Sequence, residues 1–194
     1  GKILRDGAFK NIWIQPAAGD AGGSLGAALT VNHHYLGRAR NVDGFKDLMD
    51  GSFLGPEFKQ HEIERRLTES GAVFEVLNEE TLLSQTVEAL TNEKAIGWMQ
   101  GRMEFGPRAL GGRSIIADPR SSEMQKVLNL KVKYRESFRP FAPSVLSEDA
   151  SNWFNLEGDS PYMLIVADVV QSKQRKMSKS EEKLFGIEKL NVPR

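Results

Sequence analysis

The sequence predicts a fold of the α/β or α+β class, because segments typical of strands alternate along its 194 residues with segments typical of helices. Apolar residues at helical spacing separate several of the strand-like segments. The strand-like segments span 11–15, 73–76, 95–99, 114–117, 141–146 and 163–170.

Residues 11–29 predict a strand, a loop and a helix in that order. Residues 11–15 alternate apolar and polar, as a short strand does, and Pro16 ends that pattern. A glycine-rich loop at 19–24 follows, and Leu25, Ala28 and Leu29 then continue at helical spacing. Residues 37–56 hold several glycines without clear periodicity, which indicates a connector between two units.

Three helices and a loop complete the prediction. Residues 57–70 indicate a charged helix with Ile63 and Leu67 on its buried side. The next helix should bury the stripe Leu82, Leu83, Thr86, Val87 and Leu90. A short helix is predicted around Met124, Val127 and Leu128, and the polar stretch 171–183 is predicted to be a mobile surface loop.

Composition narrows the class of protein. The 26 basic and 26 acidic residues cancel, so no overall field favours nucleic acid or an anionic membrane as a partner. Zero cysteines exclude disulfides and thiolate metal sites, which fits a cytoplasmic location. No apolar run approaches the roughly 20 residues that a membrane helix needs.

Two basic segments are the strongest chemical signal. The segment 101–114 places Arg102, Arg108 and Arg113 among four glycines, and the segment 131–143 is also rich in lysine and arginine. Glycine lets a backbone approach a ligand closely, and arginine presents donors that match phosphate or carboxylate oxygens. These segments therefore suggest a pocket for a phosphorylated small molecule. The alternative is a surface loop whose arginines pair with Glu104, Asp118 and Glu136.

Outside the two basic segments the sequence offers few candidates for metal binding or catalysis. Asp20 precedes a helix within a glycine loop, where it could hold a cation or cap the helix. His33 and His34 are adjacent, and neighbouring helical residues point about 100° apart, which favours ordinary surface residues over a metal site. The chain has no cysteine and no G-x-S-x-G turn, so catalysis by a side-chain nucleophile is not indicated.

Three long motifs resemble the carbamoyltransferase family. They are Gln15-Pro-Ala-Ala-Gly-Asp-Ala-Gly-Gly-Ser-Leu-Gly-Ala-Ala28, Gly101-Arg-Met-Glu-Phe-Gly-Pro-Arg-Ala-Leu-Gly111 and Arg135-Glu-Ser-Phe-Arg-Pro-Phe-Ala-Pro-Ser-Val145. The family includes nodulation protein NodU and O-carbamoyltransferases that tailor antibiotics such as cephamycin and tobramycin. The resemblance is spread from about residue 11 to 166.

The resemblance implies two modules. Residues 1–36 would be the C-terminal remnant of an actin/hexokinase-like ATPase domain, and 37–56 a connector. Residues 57–194 would be most of a YrdC-like domain, a twisted mixed sheet flanked by helices, that binds carbamoyl phosphate and ATP. The remainder of the same chain would then be a necessary partner.

The resemblance also implies roles for individual residues. Arg108, Lys133 and Arg139 would be the catalytic cations that grip carbamoyl phosphate and the triphosphate. Asp20 would complete a site for a divalent metal, iron or magnesium. Further substrate and nucleotide contacts would come from Arg102, Arg113, Arg135 and Gly106. Carbamoyl-adenylate would form and pass its carbamoyl group to an acceptor hydroxyl, whose identity the sequence leaves open.

Two departures from the family pattern qualify this expectation. Gly112 stands where family members usually carry asparagine, which alters a polar contact beside Arg113. A further family segment similar to Leu-Leu-Asn-Thr-Ser-Phe-Asn is also missing, so this chain alone is expected to be inactive in overall transfer.

Two other functions stay open. A nucleic-acid-binding YrdC-like module would use Tyr134, Phe138 and Phe141 for stacking, although the net charge of zero disfavours it. An enzyme resembling threonylcarbamoyl-adenylate synthase would use bicarbonate and threonine. It would not need the Gly-Asp-Ala-Gly-Gly segment at 19–23.

Overall fold

The computed structural model describes residues 2–42, 44, 47–190 and 192, which belong to two units. The first unit comprises Gly1–Val76, Trp98–Ser114 and Ser160–Val166. The second comprises Leu77–Gly97, Ile115–Asp159 and Ala167–Arg194. Residues 43, 45 and 46 of the predicted connector lie outside the described residues. The division into 1–36, 37–56 and 57–194 stays a prediction.

The first unit has three α-helices among the described residues; the last two correspond to predicted helices, and the first has no counterpart in the sequence prediction. These are α1 (Lys2–Asp6), α2 (Asp20–Thr30) and α3 (Gln60–Glu69). A π-helical turn at Val31–Tyr35 extends α2, and a 3-10 turn lies at Asp50–Ser52. Ion pairs of 2.8 Å join Arg66 to Glu62 and Arg65 to Glu69, as expected for the predicted charged helix. Its predicted apolar side is only partly covered, because Ile63 stays exposed.

In the second unit, α4 (Glu79–Thr91) is capped by Asn78, whose side chain accepts the N–H of Thr81 at 2.8 Å. The helix is confirmed, but the predicted burial of its apolar stripe is wrong. Leu82, Leu83 and Val87 are all exposed. Apolar periodicity predicts which face can be buried, and burial also requires an element that covers that face.

The sheet consists of two antiparallel strands among the described residues, β1 (Ile96–Met99) and β2 (Arg113–Ile116). Both match predicted strands, and together with the helices they confirm the mixed α/β class. The other segments predicted as strands are not in a sheet, and of these only Val169 forms a bridge, to Phe154. Alternating apolar residues suit a strand, but a strand also needs a pairing partner.

The remaining helices are short: α5 (Met124–Val127), α6 (Ala150–Trp153), α7 (Lys179–Glu182) and α8 (Ile187–Leu190). A π-helical turn at Leu128–Val132 follows α5, and 3-10 turns lie at Ser147–Asp149 and Gln171–Lys173. The loop predicted over 171–183 therefore contains α7. Ser178 and Glu181 form a reciprocal capping box there, a signal readable in the sequence.

Each unit has a small buried cluster. Met49 and Tyr162 are buried in the first unit, and Met124 and Leu128 in the second. No helix in the described part of the chain has the length and apolar character needed to span a membrane.

Candidate functional site

A cleft of about 200 Å³ in the first unit is the candidate site. Three groups of residues line it: Pro16 to Gly19; Phe105, Pro107, Arg108 and Leu110; and Ser52, Tyr162 and Leu164. The glycine-rich loop before α2 and the arginine–glycine loop between β1 and β2 therefore meet here. The two motifs are far apart in sequence, and only the fold brings them together.

The two loops touch at Ala17 and Gly106. Ala17 has a φ of +52°, which is uncommon for a residue with a side chain, and its carbonyl accepts the N–H of Gly22 at 2.7 Å. Gly106 has a φ of +103°, and a Cβ there would lie 2.5 Å from the Cβ of Ala17. Gly106 was predicted to contact ligand. That contact stays a prediction, and in the structure the absence of a side chain at Gly106 lets the two loops approach closely.

Glu104 organises the arginine–glycine loop from inside. Its side chain is buried, and its Oε1 accepts backbone N–H groups from Leu110 at 2.8 Å, Gly112 at 2.7 Å and Arg113 at 3.1 Å. Its Oε2 lies 3.3 Å from Nε of Arg113. Burial raises the pKa of Glu104, but the backbone N–H groups of Leu110, Arg113 and Gly112 outweigh it and hold the pKa below 4.5.

This pKa shift predicts a pH dependence of stability. A carboxyl group with a lowered pKa in the folded state stabilises the fold fully above the ordinary pKa that it has in the unfolded chain. That stabilisation is lost as the pH falls through the folded value. The difference in unfolding free energy between the unmodified chain and Glu104→Gln should therefore be constant near neutral pH and shrink below pH 4.5. Urea titrations across this range measure it, and a difference that grows on acidification would contradict the assignment.

The structure separates the roles of the three arginines in this loop. Arg113 pairs with Glu104 and donates from Nη2 to the carbonyl of Gly106 at 2.8 Å. Arg102 donates from Nη1 to the carbonyl of Gly55 at 2.7 Å. Arg108 is exposed and lines the cleft, and among the residues that the structure describes it has no hydrogen bond or ion pair.

The proposed ion-pairing alternative therefore holds for some of the arginines and not for others. Glu104 pairs with Arg113, and Glu136 with Arg139 at 2.8 Å. Asp118 pairs with Arg120, whose side-chain bonds lower the pKa of Asp118 to about 2. Arg108 is thus the arginine of the first segment that can bind an external anion without breaking a described hydrogen bond or ion pair.

The second basic segment lies in the second unit and is organised by Asn129. This buried side chain donates to the carbonyls of Ser137 at 3.0 Å and Arg139 at 2.8 Å. Its Oδ1 accepts from Nε of Arg135 at 2.6 Å. One signal for this role is present in the sequence, a polar residue directly after the apolar positions Met124, Val127 and Leu128.

The basic side chains of this segment differ in availability. The guanidinium of Arg135 lies over the Phe141 ring, 4.9 Å from its centre, and Arg139 pairs with Glu136. Lys133 is exposed and has no side-chain partner within the described residues. Lys133 therefore resembles Arg108 in being free to meet an anion.

A tyrosine clasp, which sequence reasoning missed, supports the cleft. The hydroxyl of buried Tyr162 donates to Oδ1 of Asp47 at 2.7 Å and accepts the N–H of Gly51 at 3.2 Å. Burial, together with the bond to Asp47, raises the pKa of Tyr162 to about 12. The hydroxyl of Tyr162 therefore stays protonated at neutral pH. It fixes the turn that carries Ser52, another residue that lines the cleft.

Asp20 does not form a metal site on its own. Gly19 is the N-cap of α2, and Asp20 is an exposed residue of the first turn, where its charge suits the helix dipole. His33 is engaged instead with the carbonyl of Arg38, at 2.8 Å from Nδ1. Among the described residues, no three histidine, aspartate or glutamate side chains are grouped as a metal site requires.

Comparison with known proteins adds independent evidence. Residues 87–181 match the family model described as carbamoyltransferase C-terminus, and residues 1–29 match the carbamoyltransferase N-terminus model. The two matches together cover more than half of the chain.

Individual relatives are similar to this chain over most of its length. The Synechocystis protein sll1178 is 57% identical over 196 residues, which cover 100% of this chain and 32% of that protein. Nodulation protein NolO of Bradyrhizobium diazoefficiens is 44% identical over 176 residues, covering 89% of this chain and 31% of that protein. Nodulation protein U of Rhizobium fredii is 33% identical over 162 residues, covering 84% and 25%. The chain spans about a quarter to a third of the length of these relatives.

Proposed function

The chain belongs to the carbamoyltransferase family, and from that premise we propose that it is the part of an O-carbamoyltransferase that binds carbamoyl phosphate and ATP. The enzyme forms carbamoyl-adenylate and transfers the carbamoyl group to an acceptor hydroxyl. In this proposal the first residues belong to the ATPase-like module, and 57–194 to a YrdC-like module.

The observation that carries the proposal is the unpaired guanidinium of Arg108 at a small cleft. The cleft volume of about 200 Å³ lies below the roughly 300–1,000 Å³ typical of sites for drug-sized ligands. It therefore suits a compact anion such as carbamoyl phosphate, or one phosphate group of a larger ligand. Arginine presents a planar fork of donors that matches phosphate oxygens.

The reaction fits the available residue types. With one water, carbamoyl phosphate and ATP give carbamoyl-adenylate, phosphate and pyrophosphate. Water cleaves the bond between the carbamoyl group and phosphate, which releases phosphate; an oxygen of the resulting carbamate then bonds to the α-phosphorus, and pyrophosphate leaves. Such chemistry needs cations that stabilise charge on transferring and leaving oxygens, and it needs no side-chain nucleophile. In the proposal Arg108 supplies this charge at the cleft of the first unit, where Arg102 and Arg113 hold the surrounding backbone. Lys133 and Arg139 are proposed as cations of the second unit, with Arg135 as a secondary contact.

The proposed metal enters no step of this account. Asp20 offers one carboxylate, and the described residues add no partner ligands to it. We therefore assign Asp20 only the role of a candidate ligand in the ATPase-like module.

Calorimetric titration with carbamoyl phosphate and with ATP tests the proposal. Arg108→Ala should weaken carbamoyl phosphate binding by roughly 2 kcal/mol, about 30-fold, because a charge-assisted contact is lost. Lys133→Ala should weaken binding of at least one of the two ligands by a similar amount.

Matched controls separate this effect from a general loss of positive charge. Arg65→Ala, in α3 of the first unit, and Lys126→Ala, in α5 of the second, also remove exposed cations and should leave both affinities unchanged. The proposal fails if neither ligand binds the unmodified chain. Tight, steeply salt-dependent binding of RNA in place of both ligands would favour the nucleic-acid-binding function.

A further inference from the structure

We propose that Glu104 is a positioning residue that fixes Arg108 at the cleft through the backbone of the loop; this inference rests on the proposed function. Glu104 is itself buried and does not line the cleft. It therefore acts on a bound ligand only through the residues that it holds.

The geometry ties the loop on both sides of Arg108. After Arg108, the N–H of Leu110 donates directly to Oε1 of Glu104 at 2.8 Å. Before Arg108, the carbonyl of Gly106 accepts from Nη2 of Arg113 at 2.8 Å, and Nε of Arg113 lies 3.3 Å from Oε2 of Glu104. Residues 106 and 110 are thus anchored to the same carboxylate, and Arg108 lies at the middle of the short segment between them.

The charge on Glu104 is what makes this anchor strong. Three N–H groups converge on one oxygen, from Leu110, Gly112 and Arg113, and hydrogen bonds to an ionised acceptor are roughly twice as strong as neutral ones. Glutamine at 104 keeps the volume and removes the charge. It also turns one of the two oxygens into a donor, which would face either the backbone N–H groups or Arg113.

A double-mutant cycle tests the positioning role, with carbamoyl phosphate as the probe. Glu104→Gln should weaken binding about tenfold, because Arg108 loses its fixed position. The double variant Glu104→Gln with Arg108→Ala should bind no more weakly than Arg108→Ala alone, within about twofold, because Glu104 has no effect without the side chain it positions. The control Glu181→Gln also removes a carboxylate that accepts a backbone N–H and pairs with an arginine. It should leave the affinity unchanged.

Amide hydrogen exchange provides a second measurement that does not need a ligand. In Glu104→Gln, exchange at Leu110, Gly112 and Arg113 should accelerate by about tenfold or more, while the amides of α4 stay unchanged. Unchanged exchange in the loop would overturn the inference, and so would fully additive binding losses in the cycle. Absence of carbamoyl phosphate binding to the unmodified chain would instead overturn the proposed function, and the inference with it.

Discussion

Gly106→Ala is expected to destabilise the first unit by about 2–5 kcal/mol and to abolish binding at the cleft. Two effects add. The φ of +103° strains any residue with a side chain, and the new Cβ would lie 2.5 Å from the Cβ of Ala17, far inside van der Waals contact. Urea unfolding and carbamoyl phosphate titration measure the two consequences.

Gly111→Ala is the matched control for backbone strain. Gly111 has a similar φ of +111°, and a Cβ there would meet nothing within 4 Å. Its substitution should therefore cost only the strain, about 1–3 kcal/mol. The difference between the two variants isolates the contact between the loops.

A compensating substitution sharpens the test. Ala17→Gly removes the methyl group that the new Cβ would strike, and the next nearest atom, Cα of Ala17, lies at an ordinary 3.6 Å. Gly106→Ala combined with Ala17→Gly should regain stability to the level of Gly111→Ala. If the pair is no more stable than Gly106→Ala alone, the two loops do not meet as the structure describes.

The sequence predicts the two strands that flank the arginine–glycine loop, and its candidate site residues stay predictions. Glycines at 101–112 between two short apolar segments indicated a ligand loop between strands, and β1 and β2 confirm those strands. The resemblance to the carbamoyltransferase family implies Arg108 as a catalytic cation, and that role stays a proposal. The structure adds the reason for choosing it over its neighbours, since Arg102 and Arg113 have partners within the protein.

Other features could not be predicted because they depend on how the chain folds and not on a local residue pattern. The sequence indicates Glu104 only as a partner for arginine, because no residue pattern shows that a carboxylate accepts three backbone N–H groups. Tyr162 and Asp47 are more than a hundred residues apart, so their bond is invisible in the sequence. The apolar stripe of α4 is exposed although its spacing predicts burial. Apolar periodicity shows which face of a helix can be buried, but it does not show whether another element covers that face.

Two adjacent glycines at the start of α2 should respond to alanine with opposite signs. A Cβ at Gly22 would lie 2.4 Å from the carbonyl oxygen of Ala17, the same oxygen that accepts the N–H of Gly22 at 2.7 Å. Gly22→Ala must therefore break this hydrogen bond or move the cleft loop, at a cost of about 2–4 kcal/mol. A Cβ at Gly23 would meet nothing within 4 Å, so Gly23→Ala should stabilise the helix by about 0.5–1 kcal/mol.

The functional consequence follows from the position of Ala17, which lines the cleft. Gly22→Ala should weaken carbamoyl phosphate binding as well as stability, whereas Gly23→Ala should raise stability and leave the affinity unchanged. Urea unfolding and calorimetry on the two variants measure both quantities.

Equal effects at the two glycines would mean that Ala17 does not occupy its described position. An affinity insensitive to Gly22→Ala, in a variant with lowered stability, would instead place the ligand away from this loop. Affinity that falls only with Gly22→Ala would tie the ligand to the loop that carries Asp20 as well as to the loop that carries Arg108.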